Sequence, residues 1–275
     1  MDGAGPFTLL PPRFAAWFAA RGWTPRDHQL AMIEKAREGR HALLITPTGG
    51  GKTLAGFLPS LIALSERPAP DPSSASPGVH TLYISPLKAL AVDVERNLLA
   101  PIAQMDLPVK AESRTGDTGL ARRQRQRVKP PDILLTTPEQ LALFCAWEGA
   151  RRYFEDLRCV IVDEIHSVWP SKRGDLLALG MARLSVFTPS CRRVGLSATV
   201  DDPDVIRRWL GPGSVKGGGA DEVDLVRGAA GAAPIVDVLL SEGQVPWAGH
   251  TARHAMPEVY EAIRRARTAL VFVNT

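Results

Sequence analysis

Short apolar segments alternate along most of the chain with longer segments of mixed polarity. The short segments are apolar throughout, which is typical of strands that are buried on both faces of a parallel sheet. The predicted strands are Ala42–Thr46, His80–Ser85, Val109–Ser113, Asp132–Thr136, Arg158–Val162 and Arg193–Ser197. The predicted helices between them are Thr53–Leu64, Leu87–Ile102, Gly119–Arg127, Glu139–Phe144 and Asp175–Leu184. This alternation predicts an α/β fold in which helices cover a parallel sheet.

Two segments interrupt the alternation. Arg67–Gly78 has the proline and serine content of a surface loop. Gly211–Ala220 is rich in glycine, which indicates a domain boundary. Beyond it, the sequence predicts a strand at Pro234–Leu240, a helix at Met256–Arg267 and a strand at Ala269–Val273.

These features predict three parts. Residues 1–212 form the first domain, residues 213–255 form a linker with connecting strands, and residues 256–275 begin a second, incomplete domain. Ala269–Val273 is interpreted as the first core strand of that second domain. Because nothing would cover this apolar strand, we expect marginal solubility, and we expect deletion from about Val226 onward to improve it.

Composition excludes few classes of protein. Apolar residues make up 45% of the chain and charged residues 23%, as in ordinary soluble proteins. The net charge of +4 permits a polyanionic partner but does not require one. The three cysteines form no C-x-x-C pair and fit a reducing compartment. No segment is apolar enough to cross a membrane, so we expect a cytoplasmic protein without a membrane partner.

A glycine-rich segment follows the first predicted strand. Residues 46–53 read Thr-Pro-Thr-Gly-Gly-Gly-Lys-Thr, and such a turn brings backbone N–H groups close to phosphates. We expect Thr48, Gly49, Gly50 and Gly51 to surround the phosphates of ATP, with Lys52 at the β- and γ-phosphates and the Thr53 hydroxyl on Mg²⁺. Thr46 stands where the general pattern G-x-x-x-x-G-K-[ST] has glycine, so an ordinary flexible turn is the alternative.

A second motif, which is acidic, follows the buried strand Arg158–Val162. Asp163-Glu164-Ile165-His166 places two carboxylates at the end of that strand. We expect Asp163 to hold Mg²⁺ through water, and Glu164 to orient or deprotonate the attacking water. The alternative is that the two carboxylates cap the next turn. Together the two motifs predict that the chain hydrolyses ATP, or descends from chains that do.

Further motifs occur at the other predicted strand ends. They are Ser85–Leu90, Arg114–Thr118, Thr136–Glu139 and Ser197–Thr199, and Trp23–Gln29 lies upstream of the first strand. In this order they resemble the motifs of superfamily 2 helicases of the DExH type. Tyr83–Leu90, Asp163–His166 and Ser171–Gly180 are similar to the Lhr, or large helicase-related, group. Arg114–Gln140 is most similar to its bacterial ligase-associated branch.

The resemblance implies roles for individual residues. Gln29 is placed at the adenine edge, with Arg26 as a companion, and Trp23 either stacks on the base or packs against neighbouring aromatic residues. His166 is expected to link the nucleotide to Ser197 and Thr199, which couple hydrolysis to domain movement. The expected nucleic-acid contacts, which grip the backbone without reading bases, are Pro86, Lys88, Arg114, Thr115, Gly116, Thr137 and Pro138. The arginines of residues 122–127 extend this grip or form a solvated helix face.

The resemblance also implies a RecA-like P-loop NTPase domain and the start of a truncated second RecA-like domain. The expected function is ATP-dependent movement on single-stranded DNA with duplex unwinding, in DNA repair, with a DNA ligase and a nuclease as functional neighbours. In such motors an arginine of the second lobe completes the ATP site, so we expect slow hydrolysis and no unwinding by this chain alone. An RNA-acting remodeller and a non-catalytic nucleic-acid-binding fragment are the alternatives.

Overall fold

The structure is a computed structural model that describes residues 9–68, 77–86, 94, 98–198, 200–213, 220–231, 235–238 and 255–272. The chain divides into two compact units, Met1–Gly231 and Ala232–Thr275. The first unit contains the sheet and both phosphate-related motifs. In the described part of the chain, no helix is long and apolar enough to cross a membrane.

The first unit is built on a seven-stranded sheet. Its strands are β1 (His41–Ile45), β2 (Thr81–Ile84), β3 (Ala111–Arg114), β4 (Ile133–Thr136), β5 (Cys159–Val162), β6 (Arg192–Ser197) and β7 (Val223–Arg227). All neighbouring pairs are parallel, in the order β3-β4-β2-β5-β6-β1-β7. The predicted parallel α/β sheet is confirmed, and each of the six strands predicted before residue 212 overlaps an observed strand.

Helices lie between most of these strands. They are α1 (Pro12–Ala19), α2 (Asp27–Arg37), α3 (Lys52–Ser65), α4 (Leu120–Val128), α5 (Pro138–Cys145), α6 (Ala150–Tyr153), α7 (Ile165–Val168), α8 (Lys172–Phe187) and α9 (Pro203–Leu210). Residues 98–104 are also helical. The first part of the predicted helix Leu87–Ile102, with Lys88 in it, lies largely outside the described residues.

Alternate residues of the strands enter two separate apolar cores. Ala42 and Leu44 of β1 pack into one core, whereas Leu43 and Ile45 pack into the other. Successive side chains of a strand point to opposite faces of the sheet, so a strand covered on both faces must be apolar at every position. This requirement explains why the predicted strands read as continuous apolar runs.

Strand β7 was not predicted. It pairs with β1 along its whole length, from His41 opposite Val223 to Ile45 opposite Arg227. The sheet therefore continues past residue 212, where the sequence analysis placed the domain boundary, and the compact unit ends at Gly231. Gly211, the first residue of the glycine-rich segment, is held to this unit, because its carbonyl accepts a hydrogen bond from the buried Arg193 of β6 at 3.0 Å.

The second unit contains α10 (Met256–Arg265), which confirms most of the predicted helix. The strands predicted at Pro234–Leu240 and Ala269–Val273 are wrong over their described residues, 235–238 and 269–272, which form no strand. The side chains there are exposed and no strand pairs with them, so β-forming composition alone does not produce a sheet. The interpretation of residues 256–275 as the start of a second RecA-like domain stays a prediction.

Candidate active site

The carboxyl ends of the strands bring the predicted motifs together at one edge of the sheet. The neighbouring strands are β5, β6 and β1: β5 precedes Asp163–His166, β6 ends at Ser197, and β1 precedes the glycine-rich loop. The strands β2, β4 and β3 are the adjoining neighbours and precede the predicted nucleic-acid contacts. Ligands of open α/β sheets bind beyond these ends.

The glycine-rich loop connects β1 to the amino terminus of α3. Gly49 and Gly51 both have φ of 78°, a left-handed conformation that side chains with a Cβ atom rarely adopt. The Gly50 N–H donates to the Pro47 carbonyl at 2.9 Å, which closes the turn. Helix α3 begins at Lys52, so its first N–H groups and its positive dipole end face the loop.

The side chain of Lys52 is buried. Its ammonium has no hydrogen-bond partner among the described residues and lies 3.6 Å from Glu164 Oε1. A buried ammonium carries three donors and is costly to bury without acceptors. Phosphate oxygens at the neighbouring loop would satisfy these donors, which fits the predicted role of Lys52.

Thr53 and Asp163 meet at the hydroxyl of a buried tyrosine. Tyr83 of β2 donates a hydrogen bond of 2.5 Å to Asp163 Oδ2, and its hydroxyl also contacts the Thr53 side chain. Asp163 Oδ1 accepts the Glu164 N–H at 2.9 Å. Burial raises the pKa of Asp163, and the hydrogen bond from Tyr83 opposes this rise. Tyr83 was missed from sequence because only the folded sheet brings it to both residues.

The oxygen atoms of Thr53 and Asp163 fit a magnesium ion. Hydroxyl and carboxylate oxygens are the ligand type that Mg²⁺ prefers. No group of three or more His, Cys, Asp or Glu side chains that could hold a metal occurs among the described residues. Phosphate oxygens and water would therefore have to complete the coordination, as is usual for Mg²⁺ bound with a nucleotide.

Glu164 lies between two basic side chains. Its Oε1 faces Lys52, and its Oε2 lies 3.4 Å from His166 Nε2. His166 Nδ1 in turn lies 3.1 Å from the hydroxyl of Ser197 at the end of β6. Glu164 has φ of 45°, which is uncommon for a residue other than glycine, and it directs the carboxylate toward the loop side of the sheet. The structure thus connects Lys52 with Ser197, whereas Thr199 lies outside the described residues.

Gln29 and Arg26 border a cavity beside the loop. The cavity has a volume of about 700 Å³ and is lined by Trp23, Arg26, Gln29, Gly51 and Thr53, among others. Gln29 is buried, and its Oε1 accepts the Arg26 N–H at 3.0 Å, which fixes the amide and leaves its NH₂ group as donor. The Arg26 guanidinium reaches the Gly49 carbonyl at 3.5 Å.

Trp23 is about half exposed and contacts Trp17 edge to face, with 5.7 Å between ring centroids. Arg21 lies over both rings, at 4.3 Å from the Trp17 centroid and 5.8 Å from that of Trp23. Both arrangements considered for Trp23 are therefore compatible: it packs on an aromatic neighbour and still presents a face to the cavity.

The phosphate loop has rear contacts that the motifs did not indicate. His28 of α2 is buried behind the loop, its imidazole contacts the Gly50 backbone, and burial lowers its pKa. Gly228, just past β7, lies against Thr46 and His28. Gly228 belongs to no recognisable motif, and His28 lies within Trp23–Gln29 without an expected role, so only tertiary structure reveals these contacts.

The predicted nucleic-acid contacts lie in three adjacent loops. Thr115 and Gly116 follow β3, Thr137 and Pro138 follow β4, and Pro86 follows β2. Gly116 is exposed, Pro86 is half-buried, and Thr115, Thr137 and Pro138 have largely buried side chains. The backbone of these loops remains the candidate contact surface, whereas Lys88 lies outside the described residues.

Arg114 differs from the exposed cation that we expected. Its guanidinium carbon lies 4.2 Å from the centroid of the Phe144 ring, and Nη1 donates to the Arg123 carbonyl at 3.3 Å. Burial lowers the pKa of Arg114. The side chain is therefore held inside the protein, where it supports the loop after β3, and its contact with nucleic acid stays a prediction.

The arginines of α4 make local contacts. Arg125 pairs with Glu112 at 2.6 Å, and Arg122 lies 3.5 Å from the same carboxylate. Arg123 donates to the carbonyls of Thr115 and Gly116. These pairs favour the alternative of a solvated helix face, with Arg123 bracing the loop after β3.

Residues 26–207 match the DEAD/DEAH box helicase family. The Lhr helicase and probable uracil glycosylase of Mycolicibacterium smegmatis is 41% identical over 221 residues, which are 76% of this chain and 14% of that protein. The ATP-dependent helicase Lhr-Core of Methanothermobacter thermautotrophicus is 39% identical over 212 residues, which are 74% of this chain and 24% of that protein.

A solved structure gives the same result. The Mycobacterium smegmatis helicase Lhr bound to ssDNA and AMP-PNP is similar with a TM-score of 0.74 and 34% identity, over 94% of this chain and 33% of that one. The predicted RecA-like fold and the resemblance to the Lhr group are confirmed, whereas the ligase-associated branch stays a prediction. The matched residues include both the phosphate loop and the acidic motif, and the chain belongs to the DEAD/DEAH box helicase family.

Proposed function

We propose that this chain carries the ATP-hydrolysing and nucleic-acid-binding lobe of a helicase that moves on single-stranded DNA. The arrangement around Lys52 carries the proposal. Its buried ammonium lies at the glycine-rich loop, 3.6 Å from Glu164 Oε1, and Glu164 follows a carboxylate that is tied to Thr53 through Tyr83. The proximity of these groups supports the proposed positions of phosphate, metal and attacking water.

The residues divide the chemistry of hydrolysis between them. Lys52 and the backbone N–H groups of Thr48, Gly49 and Gly51 bind the phosphates, and Gly50, whose N–H donates to Pro47, closes the turn that surrounds them. Thr53 and Asp163 would hold Mg²⁺, which neutralises phosphate charge when bound. Glu164 orients the attacking water and accepts its proton. Because Lys52 and His166 fix the Glu164 carboxylate from two sides, this base stays in place as the water reacts.

The hydrogen bond between His166 Nδ1 and the Ser197 hydroxyl supports a role in coupling. A change at the γ-phosphate alters the surroundings of Glu164, and His166 contacts both Glu164 and the end of β6. We propose that Ser197 and Thr199 receive this change and pass it on to the part of the protein that moves.

The nucleic-acid surface lies on the loops after β2, β3 and β4. Backbone N–H groups and hydroxyls there would hold a sugar–phosphate backbone without reading bases. The solved M. smegmatis Lhr, which carries ssDNA, favours DNA as the substrate. Roles in DNA repair beside a ligase and a nuclease rest only on the resemblance to the ligase-associated branch.

The test is steady-state ATPase activity of the chain alone, with single-stranded DNA and with single-stranded RNA of matched sequence. We expect DNA to stimulate turnover, and Glu164→Gln to abolish the stimulated turnover while ATP binding remains. Glu34→Gln is the matched control, since Glu34 is exposed on α2 away from the loop, and it should behave as wild type.

The other outcomes favour different functions. Equal or greater stimulation by RNA would identify an RNA-acting remodeller. Binding of ATP and DNA without turnover in any variant would identify a non-catalytic nucleic-acid-binding lobe. Turnover that survives Glu164→Gln would contradict the assigned base.

A further inference from the structure

Thr46, where the loop departs from the general pattern, is enclosed on two sides. Its side chain is 1% exposed. A Cβ atom at Gly50 would overlap Thr46 Oγ1 and lie 2.8 Å from the Pro47 carbonyl oxygen. A Cβ atom at Gly228 would overlap the same Oγ1 from its own side and lie 2.5 Å from Thr46 Cβ. Both neighbours of the threonine must therefore be glycine.

These contacts are part of the sheet. The Thr46 N–H donates to the Ser197 carbonyl of β6 at 3.2 Å, and the Gly228 N–H donates to the Ile45 carbonyl of β1 at 2.8 Å. Residues 228–231 thus begin as a continuation of β7 and lie behind the phosphate loop. His28 packs at the same place, with Nδ1 3.2 Å from the Cβ position of Gly228.

We propose that Gly228 is a positioning residue for ATP binding, which holds the rear of the phosphate loop through Thr46. The side chain of Thr46 transmits displacement, because its Cβ is fixed to the backbone and its hydroxyl lies against both Gly228 and Gly50. Anything that pushes Gly228 toward Thr46 therefore moves Gly50, which lies between Gly49 and Gly51 and closes the phosphate-loop turn by donating to the Pro47 carbonyl. A displacement of the backbone at Gly228, where the chain leaves the sheet, should therefore change the affinity of the site for ATP.

The proposal rests on ATP binding by this chain, and the test separates the two. We would measure the dissociation constant of a fluorescent ATP analogue, kcat with saturating ATP and thermal stability for the whole chain carrying Gly228→Ala. We expect the dissociation constant to rise roughly tenfold, because a misplacement of about 1 Å in an active site can cost on the order of 100-fold. The fall in kcat at saturating ATP should be smaller.

Two further variants make the result specific. Gly231→Ala is the matched control: its Cβ would lie 3.5 Å from Pro47 Cγ, an ordinary contact, and ATP affinity should not change. Thr46→Gly removes both atoms that Gly228→Ala would overlap, Thr46 Oγ1 and Cβ, and leaves only the 3.2 Å approach to His28 Nδ1. We therefore expect the Thr46→Gly/Gly228→Ala chain to regain most of the affinity of Thr46→Gly alone, even if Gly228→Ala by itself fails to fold.

The outcomes decide the proposal. Unchanged affinity in a folded Gly228→Ala chain would overturn it, as would a folded double variant that binds no ATP although Thr46→Gly does. Wild-type chain without ATP affinity would instead contradict the proposed function. Because coupling between two sites is reciprocal, ATP should also slow amide hydrogen exchange at Gly228, and exchange that ignores ATP would count against the coupling.

Discussion

The Tyr83 hydroxyl connects the two groups that would hold Mg²⁺, so its removal tests the proposed metal site. Phe at this position keeps the stacking on Phe57, whose ring centroid is 4.7 Å away, but removes the donor to Asp163. A hydrogen bond to a charged group contributes about 1.5–3 kcal/mol, so Tyr83→Phe should raise the Mg²⁺ concentration for half-maximal MgATP binding roughly tenfold. Binding of the fluorescent analogue, titrated with Mg²⁺, measures this.

Tyr153→Phe is the matched control for this experiment. Tyr153 is equally buried and stacks on Phe144, but its hydroxyl has no hydrogen-bond partner among the described residues. This change should leave Mg²⁺ dependence unaltered and thermal stability equal or higher. If both substitutions shift Mg²⁺ dependence alike, Tyr83 acts through packing and not through Asp163.

Among individual residues, those that belong to a contiguous motif can be assigned a role from the sequence. Lys52, Thr53, Asp163 and Glu164 could be assigned because their motifs are contiguous, and the structure brings them together. Tyr83 could not, since it meets Asp163 across 80 residues and reads as one more apolar position in a buried strand. The burial of Arg114 was also hidden, because Phe144 beneath it comes from a distant helix.

Close packing of helices explains the two glycines of Ser171–Gly180. A Cβ at Gly174 would lie 2.7 Å from the Trp169 carbonyl oxygen, which is backbone and cannot yield. A Cβ at Gly180 would lie 2.8 Å from Leu141 Cδ2, a side chain that can shift. Overpacking costs about 1–3 kcal/mol, so both alanine variants should be less stable, Gly174→Ala more so than Gly180→Ala.

Urea unfolding measures this order. Gly119→Ala serves as the control because its Cβ would meet nothing within 4 Å, and it should not lower the free energy of unfolding. The reverse order, with Gly180→Ala the more damaging, would show that Leu141 is less free to move than α5 packing indicates.

The amino ends of two strands predict an acid-sensitive fold. Burial, followed by the charges of nearby arginines, lowers the pKa of His41 at β1 to about 4, and that of His80 before β2 to about 4. Unfolded histidine has a pKa of about 6.5, so between these values the unfolded state binds more protons. The free energy of unfolding should therefore fall as pH drops from about 6.5 towards 4.

Thermal melts at neutral pH and at pH of about 5 test this. His80→Gln removes one of the two groups and should reduce the loss of melting temperature over that interval. Equal losses in the variant and the wild type would mean that His80 does not remain neutral in the folded protein.

Prediction of elements succeeded where burial dictates composition on both faces. The strands β1, β2, β4 and β5 are apolar at nearly every position, and so were identified. Strand β7 is an edge strand with Asp224 and Arg227 in it, and Asp224 pairs with Arg40 at 2.7 Å. An edge strand has only one paired neighbour and tolerates such charges. It therefore lacks the continuous apolar run by which the buried strands were identified.

On the scale of the whole molecule, the two units differ in the burial of their apolar side chains. The first unit buries them in two cores. In the second unit Ile235, Val236, Leu270 and Phe272 are each at least 79% exposed. Exposed apolar side chains promote association, so residues 232–275 should cause aggregation, as predicted from the sequence. The first unit ends at Gly231, however, and not before Val226.

Two shortened chains, residues 1–231 and residues 1–225, distinguish the two divisions. The first keeps β7 whole and removes the exposed apolar residues of the second unit, so it should scatter less light on heating and melt no lower than the full chain.

The second shortened chain, which corresponds to the deletion expected from sequence, loses Val226 from the core and the hydrogen bond from Gly228 to Ile45. It leaves the edge of β1 partly unpaired, and unpaired edges invite association. Residues 1–225 should therefore melt lower and aggregate more than residues 1–231. Equal behaviour of the two would show that the end of β7 contributes nothing to the sheet and would return the boundary to a point before it.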